Sequence, residues 1–265
     1  MGPGLRPVRD QGVSHMKKAP PEKVSQQVVS FNVNELEPLL SGPAMRIQPF
    51  EPATVQLKNG EKMLIRPLQA SEAPAFLAYI RKLMDVDHDF YDIVGARVYA
   101  EVLGWMRNRL KDPYQLIGLV DGHVVAFCNG RLMNEDINIS LHSMAFRRGL
   151  RAGAIMYYAK CQYCFETLHQ KEFWATYESY NGLKRWGIGM AQPSYPWPDR
   201  QHELGGAKVF YITREYWETT VRNYLEEMIQ TRLVRPATAE ILRANASIQM
   251  PEKLEEEDVP VPVTA

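Results

Sequence analysis

The stretch from Tyr114 to Leu132 constrains this chain most, because β-branched and aromatic residues flank a central Asp121-Gly122 pair. Both members of such a pair tolerate positive φ, which a two-residue turn matching the twist of its strands requires. Tyr114 to Val120 and His123 to Leu132 are therefore predicted as the arms of a tight type I′ hairpin. An earlier pair of short runs, Thr54 to Leu57 and Lys62 to Pro67, is joined by a turn at Lys58-Asn59-Gly60 and reads the same way. After the main hairpin, Asn134-Glu135-Asp136 turns the chain into a further strand, Ile137 to Phe146.

Helical spacing fills the intervals. Ser71 offers an N-cap, Pro74 sits in the first turn, and Ala73, Phe76, Leu77, Ile80, Leu83 and Met84 form one apolar stripe. Val98, Val102, Leu103, Met106 and Leu110 recur on a second helix that Asp112-Pro113 ends. A basic, glycine-containing turn, Arg147 to Gly153, leads into a long helix, Ala154 to His169, and then a strand, Glu172 to Glu178. Next come a short helix (Tyr180 to Gly189), a proline-rich loop (Pro193 to Gln201) and a last strand (Ala207 to Thr213). Arg214 to Leu233 carries Trp217, Val221, Tyr224, Leu225 and Met228 on one face, and a shorter helix spans Ala237 to Asn245.

The expected fold is α/β (α+β), a mixed, mostly antiparallel sheet flanked by helices. Its expected organisation is a flexible lead-in over 1–44, a mixed domain over 45–213, a helical extension over 214–248, and a disordered acidic, proline-containing tail over 249–265.

Lysine plus arginine and aspartate plus glutamate number 31 each, so the chain lacks the basic excess that drives counterion release on nucleic acid. No nucleic acid partner is expected. The sequence holds no apolar run long enough to cross a bilayer and no signal-peptide core, so no membrane partner is expected either. Three cysteines, Cys128, Cys161 and Cys164, suit a reducing compartment, and a cytoplasmic location is the expectation. Cys161 and Cys164 have no second ligand pair at zinc spacing and read as helix core, so no metal site is expected. The cluster Asp85, Asp87, His88, Asp89 and Asp92 reads as solvated surface or as a site for a cation or a cationic acceptor.

The hexapeptide Arg148-Gly149-Leu150-Arg151-Ala152-Gly153 opens the long helix after a sheet strand. Unpaired N–H groups and the macrodipole at a helix start attract phosphate, and Arg147, Arg148 and Arg151 add charge-assisted donors. Taken alone, the same residues are equally a basic loop capping an ordinary helix. The element order over residues 54–213, together with this turn, resembles the core of the GNAT acyltransferase superfamily. The signature of that family here is Gln/Arg-x-x-Gly-x-Gly/Ala. Arg148 and Gly153 match its ends, while Arg151 replaces its middle glycine.

The resemblance implies a CoA-dependent N-acyltransferase that holds acetyl-CoA across Arg147, Arg148, Gly149, Arg151, Ala152, Gly153 and Ala154. It further implies that the backbone of Ser143, Met144 and Ala145 pairs with the pantetheine arm and that Asn181 meets the donor. On turn chemistry alone, Asn181-Gly182 is equally a plain turn.

Acylating an amine needs a base for the ammonium proton and an acid for the departing thiolate. The resemblance implies a carboxylate at Glu135 or Asp136, and His142 on the same strand offers an imidazole as an alternative base while reading equally as a core histidine. The usual acid is a tyrosine about two turns past Asn181, where this chain has Lys184-Arg185-Trp186-Gly187-Ile188. Tyr180 and Tyr195 are the nearby substitutes, and Tyr180 is the candidate acid. The expected acceptor is a small-molecule or peptide amine. A longer acyl-CoA or acyl carrier protein donor, or a non-catalytic CoA- or partner-binding module, stands as the alternative, and the last helices leave room for a homodimer contact.

Overall fold

The computed structural model describes residues 47–86, 90–110, 113–202 and 207–252. The lead-in over 1–44, Asp87, His88 and Asp89 of the acidic cluster, and the tail from 253 onward lie outside the described residues.

Seven strands form the main sheet: β1 (Ala53–Gln56), β2 (Lys62–Pro67), β3 (Pro113–Val120), β4 (His123–Leu132), β5 (Ile137–Ala145), β6 (Glu172–Ala175) and β9 (Phe210–Thr213). They lie in the order β1-β2-β3-β4-β5-β6-β9, and every neighbouring pair is antiparallel except β5 and β6. The main hairpin turns through Asp121 and Gly122 at φ 48° and 82°, as its sequence requires. A short pair, β7 (Gln201–His202) and β8 (Ala207–Lys208), stands apart and interrupts the last predicted strand.

Successive strand residues alternate between two apolar layers. Met63, Ile65, Leu116, Ala126 and Cys128 face one core, while Leu64, Ile117 and Phe127 face the other. Both faces are buried, which is why β3 and β4 read as nearly continuous apolar runs. Helices α1 (Ala73–Leu83) and α2 (Tyr91–Met106) cover one face. The other is covered by α3 (Ala152–Gln162), which widens into a π-helical turn over Tyr163–Thr167. After β6 the chain makes α4 (Tyr180–Gly182), continued by wide turns over Leu183–Ile188. After β9 come α5 (Arg214–Tyr216), a π-helical segment Trp217–Val221 and α6 (Arg222–Ile229), whose buried Trp217, Val221, Leu225 and Ile229 join α3. The last helix is α7 (Ala239–Ala244).

Several boundaries differ from expectation for physical reasons. Ser71 does not cap α1: Glu72 takes the N-cap position, and its carboxylate binds Arg66 at 2.6 and 2.8 Å instead of the helix backbone. α2 ends at Met106, where the chain folds back so that the Arg109 and Leu110 amides donate to the Gly104 carbonyl. α3 starts at Ala152 rather than Ala154, directly after the left-handed Arg151. α6 stops at Ile229 because Gln230 is left-handed (φ 54°).

The C-terminal segment is built into the sheet. Val234 exchanges backbone hydrogen bonds with Thr54, the Gln249 carbonyl accepts the Val124 amide at 2.9 Å, and Asn245 Oδ1 accepts the Gly122 amide at 2.7 Å.

Candidate functional site

β5 and β6 pair in parallel only from Ile137 and Glu172 to Ser140 and Ala175. Past that point the strands part, and β6 ends at Ala175 rather than at the predicted Glu178. The β5 backbone from 141 to 145 thus borders an opening in the sheet.

On its other edge β5 carries a bulge. Ser143 pairs with Cys128 and Ser140 with Gly130, so Leu141 and His142 together oppose Asn129. Side chains satisfy the groups that the interrupted ladder leaves over. Asn129 Oδ1 accepts the His142 amide at 2.9 Å, and Lys160 Nζ donates to the His142 carbonyl at 3.0 Å and the Asn129 carbonyl at 3.3 Å.

A cavity of about 560 Å³ fills the opening. Ser143, Met144 and Ala145 of β5 form one wall, and the turn and helix start from Arg147 to Ala154 form the end. Tyr91 and Val94 of α2 face Ser179, Asn181 and Trp186 across it. Every residue predicted to hold the donor lines this one space: Ser143, Met144, Ala145, Arg147, Arg148, Gly149, Arg151, Ala152, Gly153, Ala154 and Asn181.

No side chain caps α3, so the first amides of that helix keep their hydrogen-bonding capacity at the cavity end. Gly149 turns there at φ 76°. Arg151 takes φ 63°, the left-handed conformation that glycine adopts without penalty. Its guanidinium reaches past the end of α6, donating to Gln230 Oε1 at 2.8 Å. Arg148 donates to Tyr91 Oη at 2.9 Å and lies 5.7 Å from the centre of that ring. Arg147 pairs with Glu61 at 2.9 Å.

The chain joins an antiparallel meander through an α3 crossover to a parallel strand, and that parallel pair parts over the helix start. The fold is GNAT-like. No protein-family model matches the chain, and no curated protein matches it. Solved structures similar to it include RimJ of Mycobacterium smegmatis in complex with CoA-disulfide, at 14% identity, covering 69% of this chain and 97% of that one with a TM-score of 0.49. The PaiA N-acetyltransferase of Thermoplasma acidophilum in complex with coenzyme A is 9% identical, covering 57% and 98%, with a TM-score of 0.40. The N-acetyltransferase PseH of Campylobacter jejuni is 12% identical, covering 57% and 97%, with a TM-score of 0.38.

Within this GNAT-like frame the three catalytic candidates are not brought together. Glu135 is exposed in the turn before β5, at the strand end opposite the cavity, where its backbone carbonyl accepts from Gln170. Tyr180 is 70% exposed and does not line the cavity. The stretch after Asn181, where the resemblance places a tyrosine acid, carries Trp186, stacked on Tyr157 with centroids 4.6 Å apart. His142 does lie beside the cavity wall, one residue from Ser143, but its side chain is buried against Glu101 of α2.

Glu101 carries no local sequence signature. It sits on the buried side of α2 near Val98 and Val102, and a single glutamate at helical spacing carries no motif. The three cysteines are buried, and burial pushes the Cys128 thiol up to about 12 and the thiols of Cys161 and Cys164 well above their ordinary value. They are inert packing, as their place in the core implies. No helix among the described residues is long and apolar enough to cross a membrane.

Proposed function

We propose that this chain is an acyl-CoA-dependent N-acyltransferase that takes acetyl-CoA in the cavity between β5 and α4 and transfers the acetyl group to a primary amine. The observation that carries this reading is one continuous space joining an uncapped helix start to the edge of a parted strand. The two ends suit the two halves of such a donor. Free amides and the positive end of α3, with Arg147 and Arg148 beside them, suit phosphate oxygens. The backbone of Ser143, Met144 and Ala145 suits the amides of an extended arm, which pairs with a strand edge by main-chain hydrogen bonds.

When bound, the donor supplies a thioester activated toward amines. The protein holds its anionic end at α3 and aligns its extended arm along β5, so the reacting end points inward toward the bulge. Trp186, stacked on Tyr157, and Val94 are among the apolar groups lining the space. Holding two reactants in such a geometry is itself a large contribution to rate.

The test is release of free thiol from acetyl-CoA in the presence of a panel of alkylamines, amino acids and peptides with a free N-terminal amine. Amine-dependent release, with the acetylated amine found by mass spectrometry, supports the reading. Donor that binds with no amine acetylated by any member of the panel contradicts it.

A further inference from the structure

His142 and Glu101 form a pair in which the two members are unequally placed. Glu101 Oε1 lies 3.3 Å from His142 Nε2, and the glutamate side chain is 18% exposed whereas the histidine is 3% exposed. We propose that Glu101 is the proton acceptor of the transfer and that His142 and Asn129 are positioning residues that hold its carboxylate. This rests on the acyltransferase reading above and assigns the base within it.

Three observations converge. First, both carboxylate oxygens are held: Oε1 faces His142 Nε2, and Oε2 accepts from Asn129 Nδ2. Second, the holders are fixed by the bulge itself, since Asn129 binds the His142 amide and Lys160 binds the carbonyls of both. A bulge re-aims a side chain, and this one turns His142 toward α2 while keeping it buried. Third, Glu101 lies two helical turns from Val94 on α2, about 10 Å along the helix, and Val94 lines the cavity. His142 adjoins Ser143, which also lines it. The pair therefore stands just behind the lined cavity, next to Ser143 and two residues past Ser140, where the parallel pairing of β5 and β6 ends.

Arg97, one turn before Glu101 on α2, is ion-paired with Glu178 from the segment after β6. Lys160 lies on the α3 side of the sheet and interacts electrostatically with Glu101. In the reaction, Glu101 takes a proton from the ammonium. The amine pair so freed forms the C–N bond to the acyl carbon, the C–S bond breaks with its electrons on sulfur, and the surplus proton left on nitrogen passes through water to the thiolate, giving the amide and the free thiol. Glu101 then returns its proton to water.

The test measures breakdown of acetyl-CoA, with and without the amine panel, alongside donor affinity and thermal melting, for the unmodified protein, Glu101→Gln, Glu101→Asp and His142→Gln. The amide in Glu101→Gln is isosteric and stays within hydrogen-bond reach of both holders, so melting should stay close to that of the unmodified protein. The expected result is a fall in kcat of about 100-fold or more for Glu101→Gln, unchanged donor affinity, and partial rescue in Glu101→Asp. For His142→Gln the expected loss is smaller and lies in kcat, with KM unchanged. If Glu101→Gln keeps kcat within a few-fold, the assignment of Glu101 is overturned while the acyltransferase reading stands. If the unmodified protein binds acetyl-CoA but does not accelerate its breakdown under any condition, the base has no reaction to serve and the assignment falls. If it does not bind acetyl-CoA, both readings fall together.

Discussion

The ammonium of Lys160 lies 3.0 Å from the carbonyl oxygen of His142, inside a core where Lys160 has no exposed surface. A lysine in the middle of α3 takes over a hydrogen bond that a regular β4–β5 ladder would make. Burial lowers its pKa, the expected direction for a desolvated amine. Replacing it with methionine keeps the stem but leaves two buried carbonyls without this donor. Lys160→Met should lose about 2–4 kcal/mol in urea unfolding. An unchanged unfolding midpoint would show that the bulge does not need this donor.

Two strand glycines should respond very differently to alanine. A Cβ on Gly130 would fall 2.3 Å from Tyr114 Oη and 2.8 Å from the Ile139 carbonyl, and the latter is backbone that cannot move aside. On Gly118 the nearest atom is the Met63 sulfur at 2.7 Å, part of a flexible side chain. Gly130→Ala should cost about 3 kcal/mol or more and Gly118→Ala about 1 kcal/mol. Equal losses in denaturant unfolding would contradict the packing described for β4.

Most of the sheet was legible because its turns carry their own chemistry. Asp121-Gly122 fixed the main hairpin in advance, and the apolar stripes of α1 and α6 announced which faces they bury. The cavity residues were legible because the basic glycine turn and the preceding strand are contiguous in sequence. The proton acceptor was not. Glu101 and His142 lie 41 positions apart, and the bulge that joins them depends on Asn129 and Lys160, neither of which has a local signature. Glu135 and Tyr180 are candidates by position along a strand and a helix, and position alone does not say which way a side chain faces.

Alkaline pH provides a separate check on the core. Burial raises the pKa of Tyr114, Tyr157 and Tyr177 well above the ordinary value. Each keeps its proton in the folded protein at a pH where the unfolded chain has lost it. The folded state then binds more protons than the unfolded state, and stability falls as pH rises above about 10. Phenolate absorbance should accordingly appear in two steps, the second coinciding with loss of far-ultraviolet circular dichroism. A single step near pH 10 with the fold intact would contradict the burial of these rings.

Arg151 holds a left-handed position at which a side chain costs about 1–2 kcal/mol, and while it lines the cavity its guanidinium donates to Gln230. Arg151→Gly restores the residue the turn geometry prefers. Its melting temperature should equal or exceed that of the unmodified protein, with acetyl-CoA affinity changed by less than about threefold, under 1 kcal/mol. A large loss of affinity would mean that this arginine reaches the donor after all.

The most direct test of the central claim is calorimetric titration of the protein with acetyl-CoA, repeated on the double variant Arg147→Ala, Arg148→Ala. Saturable binding by the unmodified protein, weakened about tenfold or more in the variant, is the predicted result. No binding by the unmodified protein, or equal affinity in both, would contradict the assignment of the cavity between β5 and α4 as an acyl-CoA site.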